Sequence, residues 1–474
     1  MYCLNSNFGK LVCSVFGRKV KRIKIVGILQ SFYQAIERGF LLRIRFWNVP
    51  FINRIEFVKT GNAIPKKSKK RILVLGFDEL FYSRIENLIK KIREENKEEL
   101  IVLSTNKDTQ EKLRKDGINF ISFGDYLKKE SLNELKHNYF DFYNQFKERK
   151  TEEKFKSLFY YLDYNFFDAI SNELKYLVKT RIPWIILYYR CYKEMIKKEK
   201  IDYILTIDNV LPVTRSGILA GRELGVKSIM VQSGLSESPS GRGFLPVIAD
   251  KIAVWGNEVK RYLENLGVNS EKIAVTGSIK LIRPKILLSS EEIYRKLNLR
   301  NKNPYIVIAT QEFGGAFGEK EKEKFLRACM NSAKAIKNKN FIIKLHPRET
   351  PEIHLSIVNE FKLDNVKIVS DININELLNH SEGIITIFST SMIEAMLLGK
   401  NSISLNLCNR PELVPYSKYN AIITVKNEES LNGAIASLGK KNLSKGINKF
   451  IKEYCCSIDG KSSERVLKVI RGLK

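Results

Sequence analysis

The fold is indicated most clearly by Thr386-Ile-Phe-Ser-Thr-Ser-Met-Ile-Glu-Ala-Met-Leu-Leu-Gly-Lys400. Apolar and β-branched residues at 383–388 predict a buried strand. The hydroxyl residues that follow predict the start of a helix with Ser389 as its N-cap, and Gly399 suits the end of that helix. A further apolar strand is expected at 403–407. A helix that starts at the carboxyl end of a parallel strand presents free N–H groups, so this turn predicts an anion site.

Three hydroxyl side chains and one carboxylate give the turn its predicted chemistry. Ser389, Thr390 and Ser391 would bind the oxygens of a diphosphate, and Glu394 would reach the hydroxyls of a ribose beside it. Alone, such a sequence is more typical of an ordinary helix cap. The prediction therefore depends on a second motif.

That second motif is Phe341-Ile-Ile-Lys-Leu-His-Pro-Arg-Glu349, a short apolar strand that ends in His-Pro. Proline ends strand pairing and stiffens the turn. His346 and Arg348 therefore fall near the carboxyl end of a strand, where open α/β sheets bind ligands. We expect His346, Pro347 and Arg348 to belong to the phosphate-binding site, with a structural or acid-catalytic role for His346 as the alternatives.

Together these motifs resemble the C-terminal half of the GT-B glycosyltransferases that build surface polysaccharides. The branch with capsule polysaccharide transferases, CDP-glycerol glycerophosphotransferases and bacterial sialyltransferases shares the "HP" and "SS" motifs. UDP-N-acetylglucosamine 2-epimerases share the fold and a similar helix start. Weaker resemblance runs from about residue 200 through Val231-Gln-Ser-Gly234, Val275-Thr-Gly-Ser278 and residues 459–466. It implies that Gly277 and Ser278 also bind the nucleotide.

The resemblance and the strand–helix alternation predict one architecture. This is an α/β fold of the GT-B type, with two Rossmann-like parallel-sheet domains facing across a cleft. We expect a basic N-terminal extension (1–70), an acceptor domain (71–288) with a helical insertion at about 126–200, and a nucleotide-donor domain (302–440). A C-terminal helical segment (441–474) should cross back to the first domain, as the resemblance implies.

Composition narrows the function classes. The 474 residues are enough for two or three domains. Seven scattered cysteines indicate thiols in a reducing cytoplasm rather than a disulfide framework, and only four histidines argue against a histidine-rich metal site. Without a DxD motif at a strand end, we expect no metal and no cofactor, with a nucleotide-activated sugar as the substrate.

The net charge of +29 is unevenly distributed. Residues 1–70 carry fifteen Lys/Arg and two Glu, interleaved with aromatic side chains. No uncharged run there approaches the ~20 apolar residues of a membrane span. We expect residues 1–60 to lie on an anionic membrane surface, which would make the protein cytoplasmic and peripheral on the inner face of the cell membrane. The alternative is a solvated extension. No nucleic-acid-binding motif is found.

Carboxylates at predicted strand ends are the candidates for a catalytic base. Asp208 follows Leu205-Thr-Ile207, and Asp78 follows Val74-Leu-Gly-Phe77. Glu312 opens a glycine-rich loop that lacks the Lys-Ser/Thr of a P-loop. Each of these carboxylates is equally suited to capping a helix or a turn.

The sequence thus predicts an inverting, metal-independent glycosyltransferase that moves a sugar or polyol phosphate from a nucleotide donor to a surface glycan or lipid-linked acceptor. Two alternatives stay open. One is a UDP-sugar 2-epimerase of the same fold. The other is a catalytically silent nucleotide-sugar-binding protein, because Ser233 and Ile387 stand where members of the resembled group place histidine and aspartate.

Overall fold

The computed structural model describes most of the chain after residue 58. The described ranges are 59–127, 143–148, 153–161, 164–165, 167–234, 244–282, 284–299, 301–311, 318–346, 349–410, 412 and 414–473. The expected membrane-binding segment at 1–60 lies almost wholly outside them, so that expectation stays a prediction. Among the described helices, none is long and apolar enough to cross a membrane.

The first domain is built on a seven-stranded parallel sheet in the order β3-β2-β1-β6-β7-β8-β9, and β4 and β5 form a separate hairpin. Buried Val, Ile and Leu runs make up most of these strands, as expected where helices cover both faces. The strands are Lys70–Leu75 (β1), Glu98–Leu103 (β2), Asn119–Ile121 (β3), Tyr160–Tyr161 (β4), Tyr164–Asn165 (β5), Tyr203–Thr206 (β6), Lys227–Val231 (β7), Lys251–Val254 (β8) and Ile273–Val275 (β9). The helices are Glu79–Glu95 (α1), Lys107–Lys115 (α2), Glu153–Lys156 (α3), Phe167–Lys198 (α4), Pro212–Glu223 (α5) and Asn257–Asn265 (α6).

The second domain repeats the plan with six parallel strands in the order β12-β11-β10-β13-β14-β15. The strands are Tyr305–Ala309 (β10), Asn340–Lys344 (β11), Val366–Val369 (β12), Gly383–Thr386 (β13), Asn401–Leu405 (β14) and Ile423–Val425 (β15). The helices are Ser290–Leu297 (α7), Glu319–Ala335 (α8), Glu352–Phe361 (α9), Ile374–His380 (α10), Ser391–Leu397 (α11), Leu431–Ser437 (α12), Ser444–Phe450 (α13) and Ser462–Arg471 (α14). The predicted fold of two Rossmann-like parallel-sheet domains is confirmed.

Each sheet has one point where the strand order reverses, and these points set the position of the site. In the first sheet β1 pairs with both β2 and β6, and in the second β10 pairs with both β11 and β13. The loops that leave two such central strands turn to opposite faces of the sheet, which opens a crevice at their carboxyl ends. Both predicted motifs of the second domain lie at such an end.

The C-terminal helix returns to the first domain. Val466, Leu467 and Ile470 of α14 are buried in the same core as β1 and β2. At the end of the helix, the guanidinium of Arg471 lies 2.8 Å from carboxylate oxygens of Glu95 and Glu98. The last helix therefore fastens the end of the second domain onto the first sheet.

Glu258 at the start of α6 makes a polar contact between the domains. Its carboxylate accepts hydrogen bonds from Lys418 Nζ (2.5 Å), Arg261 Nη2 (2.6 Å) and Tyr419 Oη (2.8 Å). Burial opposes ionisation, but these three donors outweigh it and lower the pKa of Glu258 to about 2. Since Lys418 and Tyr419 belong to the second domain, this carboxylate stabilises the facing arrangement of the two sheets.

Glu258→Gln is expected to lower the free energy of unfolding by about 1–3 kcal/mol at pH 7, because charge-assisted bonds are lost at the junction. A lowered folded-state pKa contributes stability above the ordinary glutamate value of 4.5, and that contribution disappears as the pH falls towards 2. Urea unfolding from pH 7 to pH 3 should therefore show a narrowing gap between the two proteins. Glu264→Gln is the control, because Glu264 has only a 3.8 Å surface pair with Lys260. An equal gap at every pH would contradict this role of the charge.

Candidate functional site

The hydroxyl turn, Ser389 to Ser391, lies at the carboxyl end of β13, on the crevice of the second sheet. Ser389 Oγ accepts the backbone N–H of Ser391 at 3.3 Å, and the helix begins at Ser391, two residues after the predicted N-cap. The Ser391 side chain is only 7 % exposed, and within the described residues its hydroxyl has no hydrogen-bond partner. A buried hydroxyl of this kind is costly unless a ligand or water satisfies it.

Glu394 lies one turn into α11 and faces the first domain. Burial raises the pKa of Glu394, and the positive charge of Lys280 partly opposes that rise. Lys280 is exposed on the loop that follows β9, so a charge of the first domain acts on a carboxylate of the second. The sequence interpretation missed Lys280, although it lies only two residues beyond the Val275–Ser278 motif.

The ends of β10 and β11 meet beside this turn. The backbone N–H of His346 donates to Thr310 Oγ1 at 3.0 Å and to Glu349 Oε2 at 3.3 Å. The His346 side chain is half-buried. Pro347 and Arg348 fall outside the described residues, so their predicted phosphate contacts stay predictions.

The two candidate bases of the first domain lie at neighbouring strand ends, where each accepts backbone hydrogen bonds. Asp78 Oδ1 accepts the N–H of Phe81 at 2.9 Å and caps α1. Asp208 Oδ2 accepts the N–H groups of Val210 (3.2 Å) and Leu211 (2.7 Å). β1 and β6 are paired, so both carboxylates belong to the crevice edge of the first sheet. Glu312, the third candidate, lies outside the described residues.

Two arginines that the sequence interpretation missed lie at the same edge. Arg84 Nη1 of α1 donates to Ser233 Oγ, just after β7, at 3.4 Å. Arg215 lies in the first turn of α5; burial lowers its pKa, and the nearby carboxylate of Asp208 opposes that effect. A cation in the first turn of the helix that follows a strand-end carboxylate was the available signal for Arg215. These guanidiniums add positive charge where an anionic ligand would bind.

Gly277 and Ser278 shape the loop that carries Lys280. Ser278 is 2 % exposed, and its hydroxyl accepts the N–H groups of Lys280 (3.2 Å) and Leu281 (3.1 Å). Gly277 has a φ of +81° and packs against α14. The structure thus gives both residues a role in the turn, and their predicted nucleotide contact stays a prediction.

Metal binding has little support in the described ranges. They contain no group of three or more His, Cys, Asp or Glu side chains placed to hold an ion.

Fold and crevice together define a two-domain α/β protein of the GT-B type, and the comparisons with known proteins narrow this class. Residues 223–471, more than half of the chain, match the family model described as UDP-N-acetylglucosamine 2-epimerase. The chain belongs to that family. No curated protein matches the chain significantly.

Solved structures show the same fold at low sequence identity. A Staphylococcus aureus MnaA–UDP structure shares 16% identity with a TM-score of 0.55, covering 85% of this chain and 96% of its own. The Neisseria meningitidis UDP-GlcNAc 2-epimerase bound to UDP-GlcNAc shares 14% identity with a TM-score of 0.57, covering 85% and 100%. A structure described as a glycosyltransferase from Rickettsia africae shares 16% identity with a TM-score of 0.55, covering 85% and 98%. At this identity the likeness shows the fold alone.

The family match contradicts the predicted glycosyltransferase function. An enzyme is supported, but the matched family is named for an isomerase, which was the stated alternative. The predicted function was wrong because the sequence motifs indicate only a nucleotide-binding site, and both kinds of enzyme need one. Specific resemblance to capsule transferases and sialyltransferases is not shown.

Gly277→Ala is expected to destabilise the protein more than Gly460→Ala. Both glycines have positive φ, +81° and +76°, so both substitutions carry the backbone cost of about 1–2 kcal/mol. A Cβ at Gly277 would also lie 2.5 Å from Ser462 Oγ and 3.0 Å from Arg465 Nη2, whereas nothing lies within 4 Å at Gly460. Thermal unfolding should show an additional loss of about 1–3 kcal/mol for Gly277→Ala. Equal melting temperatures would show that α14 does not pack tightly on this loop.

Proposed function

We propose that the protein is a UDP-N-acetylglucosamine 2-epimerase that inverts the configuration at C2 of the sugar. The family match carries this proposal, because residues 223–471 include Lys280, His346, the hydroxyl turn and Glu394. Two neighbours of the same fold are described as bound to UDP and to UDP-GlcNAc. The substrate would be a nucleotide sugar alone, without an acceptor.

The chemistry of the substrate dictates what the site must supply. Inversion at C2 requires loss of the C2 proton and its return on the other face of the ring. No carbonyl carbon adjoins C2, but C1 carries UDP, a good leaving group. When a base takes the C2 proton, the C–H electrons form a C1=C2 double bond and the C1–O electrons leave with UDP. Readdition of UDP to C1, with protonation of C2 from the opposite face, gives the epimer.

The second domain would bind the departing UDP. As the C1–O bond breaks, negative charge grows on the diphosphate, and donors placed beforehand stabilise it. The hydroxyl turn supplies such donors, and His346 adds another at the end of β11, with β10 between the two strands. Glu394 would accept hydrogen bonds from the ribose hydroxyls, with Lys280 beside it to favour the ionised form. Arg348 would add charge to the diphosphate.

The first domain would supply the base. Asp208, Asp78 and Glu312 remain the candidates for removing the C2 proton. Asp208 and Asp78 occupy the crevice edge of the first sheet, opposite the proposed UDP site. Arg215 lies near Asp208 and adds positive charge beside that carboxylate.

Solvent proton exchange tests the function directly. The purified protein, incubated in D2O with UDP-N-acetylglucosamine and no acceptor, is expected to place deuterium at C2 and to form the C2 epimer, both visible by proton NMR. Tight UDP binding without exchange would make the protein a silent binding protein. If the protein neither binds UDP nor exchanges the C2 proton, the proposal is overturned.

Ser391→Ala is expected to weaken UDP binding by about tenfold, because one hydrogen bond to a charged oxygen is lost. The matched control is Ser402→Ala. Ser402 is also buried with no hydrogen-bond partner within the described residues, but it lies in β14, away from the strand's carboxyl end. Isothermal titration with UDP should leave the Ser402 variant unchanged. If the two variants bind UDP with equal affinity, the hydroxyl turn is not part of the UDP site.

A further inference from the structure

A buried ionic cluster lies next to His346, at the end of β11, and the proposed chemistry does not use it. It consists of Lys322, Glu349 and His354, whose side chains are 7 %, 5 % and 0 % exposed. Lys322 Nζ lies 2.7 Å from Glu349 Oε1, and His354 Nε2 lies 3.6 Å from the same oxygen. Buried charges of this kind are costly to desolvate, so the cluster is weak evidence for stability alone.

The second carboxylate oxygen of Glu349 faces the strand ends. Glu349 Oε2 accepts hydrogen bonds from the hydroxyl of Thr310 and from the backbone N–H of His346, the latter at 3.3 Å. Thr310 Oγ1 in turn accepts the His346 N–H at 3.0 Å. One carboxylate therefore ties the end of β10 to the end of β11.

The other oxygen extends the connection to two helices. Lys322 lies in the first turn of α8, where its N–H bonds to the carbonyl of Gly318, and His354 lies in the first turn of α9. α8 is the next described helix after β10, and α9 is the next after β11. The ends of β10 and β11 and the first turns of α8 and α9 thus meet at Glu349.

We propose that Glu349 is a positioning residue. Its carboxylate holds the backbone of His346 so that the His346 side chain meets the substrate diphosphate. This inference rests on the proposed function, because it takes UDP as the ligand. The ammonium of Lys322 fixes the orientation of the Glu349 carboxylate. It engages one oxygen and leaves the other for Thr310 and the His346 N–H.

An amide at position 349 tests the hydrogen bond between this side chain and the N–H of His346. In Glu349→Gln the amide oxygen would turn to Lys322, which places the NH2 group against the N–H of His346, donor against donor. Replacing Lys322 by Met as well removes that bias, so the amide oxygen can return to His346. The double variant should therefore recover what the single variant loses.

The experiment measures UDP affinity by calorimetry, together with kcat and KM for C2 exchange. Glu349→Gln is expected to weaken UDP binding and lower kcat/KM by about tenfold, and Lys322→Met/Glu349→Gln should restore most of both. In a His346→Ala background, Glu349→Gln should add little, because it acts through His346. Controls are Glu352→Gln and Lys320→Met, exposed residues on the same two segments that should behave like the wild type.

Three results would overturn the proposal: unchanged UDP affinity in Glu349→Gln, no recovery in the double variant, or a full additional loss in the His346→Ala background. If Glu349→Gln does not fold, Thr310→Val removes the shared hydroxyl without adding a charge imbalance. It should weaken UDP binding severalfold, and unchanged binding would count against the proposal. A wild type that neither binds UDP nor exchanges the C2 proton would refute the proposed function itself, whereas normal wild-type behaviour with an unaffected Glu349→Gln refutes only the positioning role.

Discussion

The contact between the loops after β8 and β9 and the C-terminal segment fixes how the two sheets face each other. At Gly256 the backbone approaches so closely that a Cβ would lie 2.3 Å from the carbonyl oxygen of Glu453. At the next strand end, Arg465 Nε donates to the carbonyl of Thr276 at 2.6 Å. Because both contacts occur at carboxyl ends of first-sheet strands, they bring that edge against the second domain, where the charge of Lys280 acts on Glu394.

Much of this fold follows from sequence patterns, because buried parallel strands are nearly continuous apolar runs and their ends carry capping residues. The strand that ends before His346 and the one that ends before Ser389 were both predicted within one or two residues. The contacts of Lys280 and Arg84 could not be predicted, since each crosses between segments far apart in the chain. The role of Glu349 was equally hidden, because a carboxylate after His-Pro-Arg is usually solvated.

Predicting the function from sequence failed for a chemical reason. A glycosyltransferase and a 2-epimerase both break the bond between C1 and the diphosphate, and both stabilise the same leaving group. Hydroxyl residues at Ser389–Ser391, with Glu394 one turn later, are predicted to serve that shared step. What separates the two reactions is the group that attacks or removes a proton, and the candidate carboxylates Asp78 and Asp208 also serve as caps. Only the extended family match over residues 223–471 distinguishes them.

We propose that the hydroxyl turn of the second domain holds UDP, with Glu394 beside the ribose. A crystal structure of the protein with UDP tests it most directly. We expect diphosphate oxygens within hydrogen-bonding distance of Ser389, Thr390 or Ser391, and ribose hydroxyls at the carboxylate of Glu394. A nucleotide bound elsewhere, with this turn occupied only by solvent, would contradict it.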